Sequence, residues 1–364
     1  MNRRNLAVAI AGVLAFPGAA FSQSSVSISG YLKVAMENIR LGNSARPNVS
    51  ENRVVDENSR IIFTMVEDLG GGVQAIGQVD WRITTDVGAD SMSGNNWVGL
   101  RSKSWGQFVF GRSDLHYNNS TSEISSKGSY KAQIIAILTY AGGGATAIAN
   151  DSRTPNIYKY DSPNWGGFTI GAAYSTNPVP ATAAEADIGS TVRRGNAYNI
   201  EPNFTRENWG VGYSYWRAKT DAFVVPDQRG DRAWGYFVWG GLKLGLNYDR
   251  SKLTTAGIGT TSNRTAWAPT LRYTTAPHNF YLEYAKAKDD KATVASDGAY
   301  MIGAAYAYDL SKRTSIGISY AMVKNDAGAV YNLYGGGAGY ASTGAAPLPG
   351  EDPRVWSLAI RHAF

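Results

Sequence analysis

The feature that most limits what this chain can become is alternation. Val26, Ile28, Leu32, Val34 and Met36 fall on one face of an extended segment, broken only by Gly30. Ser27, Ser29, Tyr31, Lys33 and Glu37 fall on the other. Successive strand side chains point to opposite faces, so the segment has one greasy and one wet side. The pattern returns in Val73, Ala75, Val79, Trp81 and Ile83 against Gln74, Gln78, Asp80 and Arg82. It returns again in Leu242, Leu244, Leu246 and Tyr248 against Lys243, Gly245, Asn247 and Asp249. Tyr300, Ile302, Ala304, Tyr306 and Tyr308 alternate with small residues, and Trp356, Leu358, Ile360, His362 and Phe364 share one face near the end. The runs are close to the ~9–11 residues that a tilted membrane-spanning strand needs.

Connections between runs alternate in length. Short turns lie near residues 69–72, 103–106, 162–166, 206–208, 240–241, 275–278 and 309–312. Longer loops lie near 38–58, 84–94, 114–152, 176–194, 219–231, 251–263, 288–297 and 324–352. Between them the spacing predicts 16 strands, starting near Val26, Ser59, Val73, Asn95, Gln107, Arg153, Gly167, Gly195, Trp209, Arg232, Leu242, Arg264, Asn279, Gly298, Arg313 and Pro353. An even count, with short turns at one end and long loops at the other, points to an all-β fold, a 16-stranded antiparallel transmembrane β-barrel. A soluble sandwich or propeller would also alternate, but the summed apolar faces exceed what one core could bury. The opposite faces, with Lys33, Asp80, Arg82, Lys243, Asp249 and Glu283, suit a wet lumen.

Composition agrees. The chain has no cysteine, 22 Tyr, 10 Trp and 41 Gly in 364 residues. Its mean hydropathy is −0.26. Residues 1–22 read as a secretory signal peptide: Arg3 and Arg4, then an apolar run from Leu6 to Phe16, then Ala20 and Ser22 at the −3 and −1 places before Gln23. The barrel domain would be residues 23–364. Without Arg3 and Arg4, the 35 Lys+Arg become 33 against 29 Asp+Glu, a formal charge of +4. That mild, scattered charge does not predict a nucleic-acid partner. Trp81, Trp97, Trp105, Trp165, Trp209, Trp234 and Trp356 lie near strand ends and read as interfacial girdle residues.

Several stretches carry a resemblance in a fixed order. They are Ser59-Arg60, Glu67-Asp68-Leu69-Gly70-Gly71-Gly72, Trp97-Val98-Gly99-Leu100, and Phe110-Gly111-Arg112. Asn156 to Tyr160 follows, then Ser162-Pro163-Asn164-Trp165-Gly166-Gly167-Phe168, and last Ile360-Arg361-His362-Ala363-Phe364. From Ser24 to Phe364 the chain resembles the general bacterial porin family, especially its trimeric 16-stranded members. The resemblance implies an outer-membrane general diffusion porin. It would work as a homotrimer in lipid and lipopolysaccharide, inserted by the barrel-assembly machinery that reads the terminal Phe364, and would pass small hydrophilic solutes. It implies that the third loop, residues 114–152, folds into the barrel and narrows the pore. Nearly forty residues without a clear strand is itself unusual and generally functional. Its charges are Asp114, Glu123 and Asp151 against Lys127 and Lys131. Facing it, the resemblance implies a basic wall. Period-two parity puts Arg60, Arg82 and Arg153 on the lumen side. Asn95 stands where related anion-selective members carry an arginine, which implies a weak to moderate anion preference. Arg101 has lumen parity beside a short turn, and the direction of Arg112 stays open.

No cofactor, metal or catalytic set is predicted. His116, His278 and His362 are scattered, and no HExxH, Walker or G-x-S-x-G motif occurs, so an enzyme is not expected. Two other readings stand beside the general porin: a substrate-specific channel for sugars or small organic acids, and a non-channel surface β protein. An aromatic slide in the lumen would favour the former, and most aromatics have lipid parity.

Overall fold

The computed structural model describes residues 24–115, 133–138, 153–178, 195–220, 227–255, 257–334 and 347–364. In chain order its strands are β1 (Ser25–Gly42), β2 (Ser50–Asp56), β3 (Arg60–Gly70), β4 (Val73–Thr84), β5 (Ala89–Ser91), β6 (Asn96–Ser102), β7 (Gly106–Asp114), β8 (Arg153–Asp161) and β9 (Phe168–Ser175). They continue as β10 (Gly195–Thr205), β11 (Trp209–Thr220), β12 (Asp227–Trp239), β13 (Leu242–Thr255), β14 (Gly259–Thr275), β15 (His278–Ala287), β16 (Ala299–Asp309), β17 (Thr314–Asn325) and β18 (Asp352–Ala363). One helical turn, α1 (Ile135–Leu138), lies among the described residues.

All strands join one antiparallel sheet, and β18 pairs with β1 from Tyr31↔Ala363 to Gly42↔Asp352, so the sheet closes on itself. Two strands are continuations rather than separate staves. The first half of β1 pairs with β3 (Ser25↔Val66 to Tyr31↔Arg60) and its second half with β2 (Val34↔Asp56 to Arg40↔Ser50). β2 and β3 are thus one stave interrupted at residues 57–59. β4 likewise meets β6 along Val73↔Ser102 to Val79↔Asn96 and β5 at Arg82↔Ser91 to Thr84↔Ala89. The result is a closed 16-strand antiparallel barrel.

The outward face is the apolar one: Val26, Ile28, Met36, Leu244, Leu246, Ile318, Trp356, Leu358 and Ile360 are exposed, while Lys33, Asp80, Arg82, Asp249 and Glu283 are buried inside. Two expected girdle residues are corrected. Trp97 lies opposite Gln78 in register and so shares its inward face. Trp234 alternates with exposed Phe237 and shares parity with fully buried Arg232. Several expected loops are shorter than the alternation suggests. β1 runs on to Gly42, β5 lies within 84–94, β12 starts at Asp227, and β13 and β14 extend until only residues 256–258 separate them. The β13–β14 extension carries polar residues on both faces near its tip, such as Thr254, Thr260 and Thr261, so no alternation marks it there.

The inner wall of β14–β17 is written in alanine. Ala266, Ala268, Ala285, Ala287, Ala299, Ala305, Ala307 and Ala321 are buried there, and α1 packs against it with Ile134, Ile135, Ile137 and Leu138. Methyl side chains leave room for a loop segment to lie flat on the wall. Part of the expected third loop therefore sits inside the barrel. A second segment, residues 329–334 between β17 and β18, joins the same cluster through Tyr331, Leu333 and Tyr334. Asn325 ties it down, donating to the carbonyls of Tyr331 (2.8 Å) and Glu351 (2.6 Å) and accepting from Tyr331 N (2.9 Å). The guanidinium of Arg264 lies 4.6 Å from the Tyr331 ring centre.

The seam closes at Gly30. Its N–H donates to the Phe364 carbonyl (3.2 Å), and the Phe364 N–H donates to the Gly30 carbonyl (3.1 Å). A Cβ on Gly30 would fall 2.2 Å from the Arg60 carbonyl oxygen, so only glycine lets β3 approach on the other side. Deleting Phe364 removes both seam bonds, about 1 kcal/mol each, together with an outward apolar ring. The expected outcome is a clear drop in heat-modifiable folded barrel on gels, restored by Phe364→Trp but not by Phe364→Asp.

Candidate functional site

The two interrupted staves flank β4, and the breaks place polar side chains where backbone pairing stops. At the first break Asn58 takes a left-handed backbone (φ 70°), a conformation its short amide tolerates. Its side-chain oxygen accepts from Arg82 Nη1, and its carbonyl from Arg60 Nε (3.5 Å). At the second break a Cβ on Gly94 would sit 2.2 Å from the Asp80 carbonyl oxygen, so the chain can fold back over Asp80 only as glycine. Asp80, 1% exposed, is the shared anchor: its Oδ2 lies 2.8 Å from Arg82 Nη2 and 3.7 Å from Arg60 Nη1. Arg60 and Arg82 are directly paired across β3 and β4.

Further round the wall, Asp114 ends β7 opposite Arg153, the first residue of β8, with Arg153 Nε 3.7 Å from Asp114 Oδ1. Asp114 was expected across the gap in the loop. It instead lies on the wall beside Arg153, because β7 pairing persists to that residue. Asn95 holds it from both sides, donating to Asp114 Oδ2 (2.8 Å) and accepting from its backbone N–H (2.9 Å). Arg112, left open by parity, lies close enough to Arg153 and Asp114 to interact with both. Arg101 is exposed at the short-turn rim and donates to Gln74 (2.8 Å). Glu123, Lys127, Lys131 and Asp151 lie outside the described residues, as do residues 1–22.

The structure thus gathers Arg60, Arg82, Arg153, Asp80 and Asp114 on one wall, with Arg112 beside Arg153 and Asp114. Tyr31 extends it, since Arg60 and Arg361 lie over its ring at 5.1 and 4.6 Å from the centre. Sequence reasoning missed Tyr334. It is buried, packs with the α1 cluster and lies within electrostatic reach of Asp114, Arg82 and Arg60. Burial pushes its hydroxyl above the usual tyrosine range, so it stays a neutral phenol. The run Tyr331-Asn332-Leu333-Tyr334, apolar and aromatic within a supposed external loop, was the available signal.

A family model described as Gram-negative porin matches residues 7–328. The chain belongs to that family. Outer membrane porin protein 32 of Delftia acidovorans is 28% identical over 367 residues, covering 97% of each chain. An outer membrane porin protein of Bordetella pertussis is 26% identical over 218 residues, covering 55% of this chain and 54% of that protein, so the match spans about half of that relative. Among solved structures, an anion-selective porin from Comamonas acidovorans superposes with a TM-score of 0.78 at 20% identity, over 94% of this chain and 100% of that one. An outer membrane protein of Vibrio cholerae in trimer form superposes with a TM-score of 0.67 at 12% identity, over 94% and 99%. This is an outer-membrane porin barrel.

Removing the shared anchor tests how the wall is built. Asp80→Asn leaves two guanidiniums without their carboxylate, and breaking one side of a buried pair costs on the order of 3 kcal/mol. The variant barrel should lose its folded form at lower temperature or denaturant than the parent, whereas Asp68→Asn at the exposed short-turn end should change neither.

Proposed function

We propose that this porin is a general diffusion channel for small hydrophilic solutes and ions, with weak to moderate anion preference and no enzymatic role. The observation that carries the proposal is the braced wall of Arg60, Arg82 and Arg153. The α1 cluster lies about half a circuit away, on β14, β15 and β16. On this reading the wall and the loop segments frame the narrowest part of the pore. Asp114, Glu123, Lys127, Lys131 and Asp151 would set the charge of the constriction loop and its base.

Arginine stays charged at any working pH, so the field is fixed. Arg60, Arg82, Arg153 and Arg112 against Asp80 and Asp114 leave the wall net positive, which favours anions without excluding cations. The anion-selective character of the Comamonas relative agrees in sign. A homotrimer packed through strands near the two termini is part of the proposal. Its support is an outward groove of about 640 Å³ lined by Met36, Asn38, Asn52, Val54, Trp356 and Leu358. There Asn38 donates to Asn52 (2.7 Å), an amide pair better placed against protein than against lipid. Lipopolysaccharide contact and recognition of Phe364 by the assembly machinery belong to the same proposal.

Changing Arg60 and Arg153 together to Ser leaves Arg82 and Arg112 against Asp80 and Asp114, removing the local positive excess. In planar bilayers under a salt gradient, the zero-current potential should move toward cation selectivity, and conductance for bulky solutes should rise. The shift should be largest near 0.1 M salt, where the Debye length is ~10 Å, and small near 1 M, where it is ~3 Å. An unaltered potential at low salt would place these arginines away from the constriction.

A further inference from the structure

The guanidiniums of the arginine wall are braced by carboxylates, but one inward cation beside the wall is not. Arg361 on β18 shares the parity of buried Ser357 and Ala359 and so points into the lumen, while Ile360 and His362 are exposed on the outer face. Its guanidinium lies 4.6 Å from the centre of the Tyr31 ring, and that of Arg60 lies 5.1 Å from the same centre. One ring thus carries two cations, and the negative face of its π system offsets part of their repulsion. The shared ring also keeps the two guanidiniums within ~10 Å of each other, the Debye length at 0.1 M salt.

A guanidinium laid on a tyrosine can serve packing alone. The surroundings of Arg361 go beyond that. In register it stands between Lys33 on β1 and Ser315 on β17, and Ser315 in turn faces Asp309 on β16. Lys33 is buried with Glu57 at 3.7 Å. Asp309 accepts from Asn279 Nδ2 (3.1 Å) and lies two strands from Arg361, ~10 Å at the spacing of a sheet. Among the described residues, no carboxylate lies within ion-pair distance of Arg361. At the short-turn end Arg361 lines a cavity of about 250 Å³ together with Lys312, Arg313, Asp309 and Ser315, three cations against one carboxylate. Arg361 is three residues from the end of the chain, whereas Arg60 is ten residues before the short turn at Gly70. Cations therefore follow one another from the periplasmic rim through Arg361 and across Tyr31 to Arg60.

We infer that Arg361 is a further determinant of ion selectivity, a weak station for small anions in the periplasmic half of the lumen, one step from the arginine wall. The inference rests on the anion-conducting pore proposed above. An anion at Arg60, Arg82 or Arg153 competes with Asp80 or Asp114 for the guanidinium. At Arg361 it meets no such competitor. Conduction needs binding that is weak, or divided among sites, so that an ion can leave. A second cation within one screening length of the wall divides it in that way.

The chain has no cysteine, so Arg361→Cys provides a single thiol that can be modified after the full-length barrel has folded and inserted. The measurement is the zero-current potential in planar bilayers under a potassium chloride gradient around ~0.1 M. Arg361→Cys should lower the permeability ratio of chloride to potassium about two- to threefold, the scale of one unit charge acting at ~7 Å in water. A cationic methanethiosulfonate should restore the ratio, and an anionic one should lower it further. Arg361→Lys should keep the parent ratio. Arg361→Gln keeps a long stem on the ring and should show the same loss as the thiol variant, guarding against a folding failure of the latter. Arg354→Cys, outward on the same strand, should respond to neither reagent. A ratio unchanged in Arg361→Cys and Arg361→Gln overturns the station and leaves Arg361 a packing residue. So does a loss that the cationic reagent does not restore, or an equal response at Arg354, which would make the effect one of shape or of total charge. A parent without anion preference overturns the pore reading itself.

Discussion

Everything in this molecule depends on one constraint: in hydrocarbon, each backbone N–H and C=O must find a partner within the protein. Closure of β18 on β1 meets it globally, with the last bonds made between Gly30 and Phe364. The interruptions at residues 57–59 and 92–95 violate it locally, and polar side chains repair it. Ser59 Oγ accepts from Lys33 N (2.9 Å), Asp56 from Ser59 N (2.9 Å), and Asn96 Oδ1 from Asp80 N (3.0 Å). Ile83 N still reaches the Ser59 carbonyl (3.1 Å). The breaks are thus polar islands in an otherwise regular sheet, and the arginine wall is assembled around them.

That wall is a braced dipole more than a ring of free charge. Asp80 serves two arginines at once, and Asp114 serves Arg153 while Asn95 fixes its direction. The carboxylates offset most of the charge repulsion among the guanidiniums. They also hold long side chains that would otherwise sample many rotamers in water. The arrangement trades field strength for a fixed field direction, which suits a channel that orients solutes without retaining them.

The barrel was legible because its signal is local. Period-two alternation needs only neighbours, and starts such as Val73, Arg153, Gly195, Trp209 and Leu242 coincide with the observed strand starts. The parity of Arg60, Arg82 and Arg153 could be read in the same way. Their partners could not, because Asp80, Asn58 and Asn95 meet them through register between strands, which no single segment encodes. Asn95 looked like a missing arginine, yet its amide is the part that locks Asp114. Trp234 was misread because position near a strand end says nothing about face. Only its parity with Arg232 and its pairing with Gly212 turn it inward. The inward run at 329–334 was missed because loop length suggests exposure, while Asn325 and the alanine wall pull that run inside.

The apolar filling of one side of the lumen also changes the electrostatics of the other. The α1 residues, Leu333 and Tyr334 replace water over the alanine wall with low-polarisability side chains. Tyr334 extends that medium to within electrostatic reach of Arg60 and Arg82 as a neutral phenol. A charge whose surroundings are half protein is screened less than one in open water, because the interaction scales inversely with the effective dielectric. On the proposed reading, a small net positive charge can then bias ion passage where the same charge on an open surface would be lost to solvent. On the pore proposed above, the two inward loop segments act beyond steric narrowing, by concentrating the field of the wall into the water that remains.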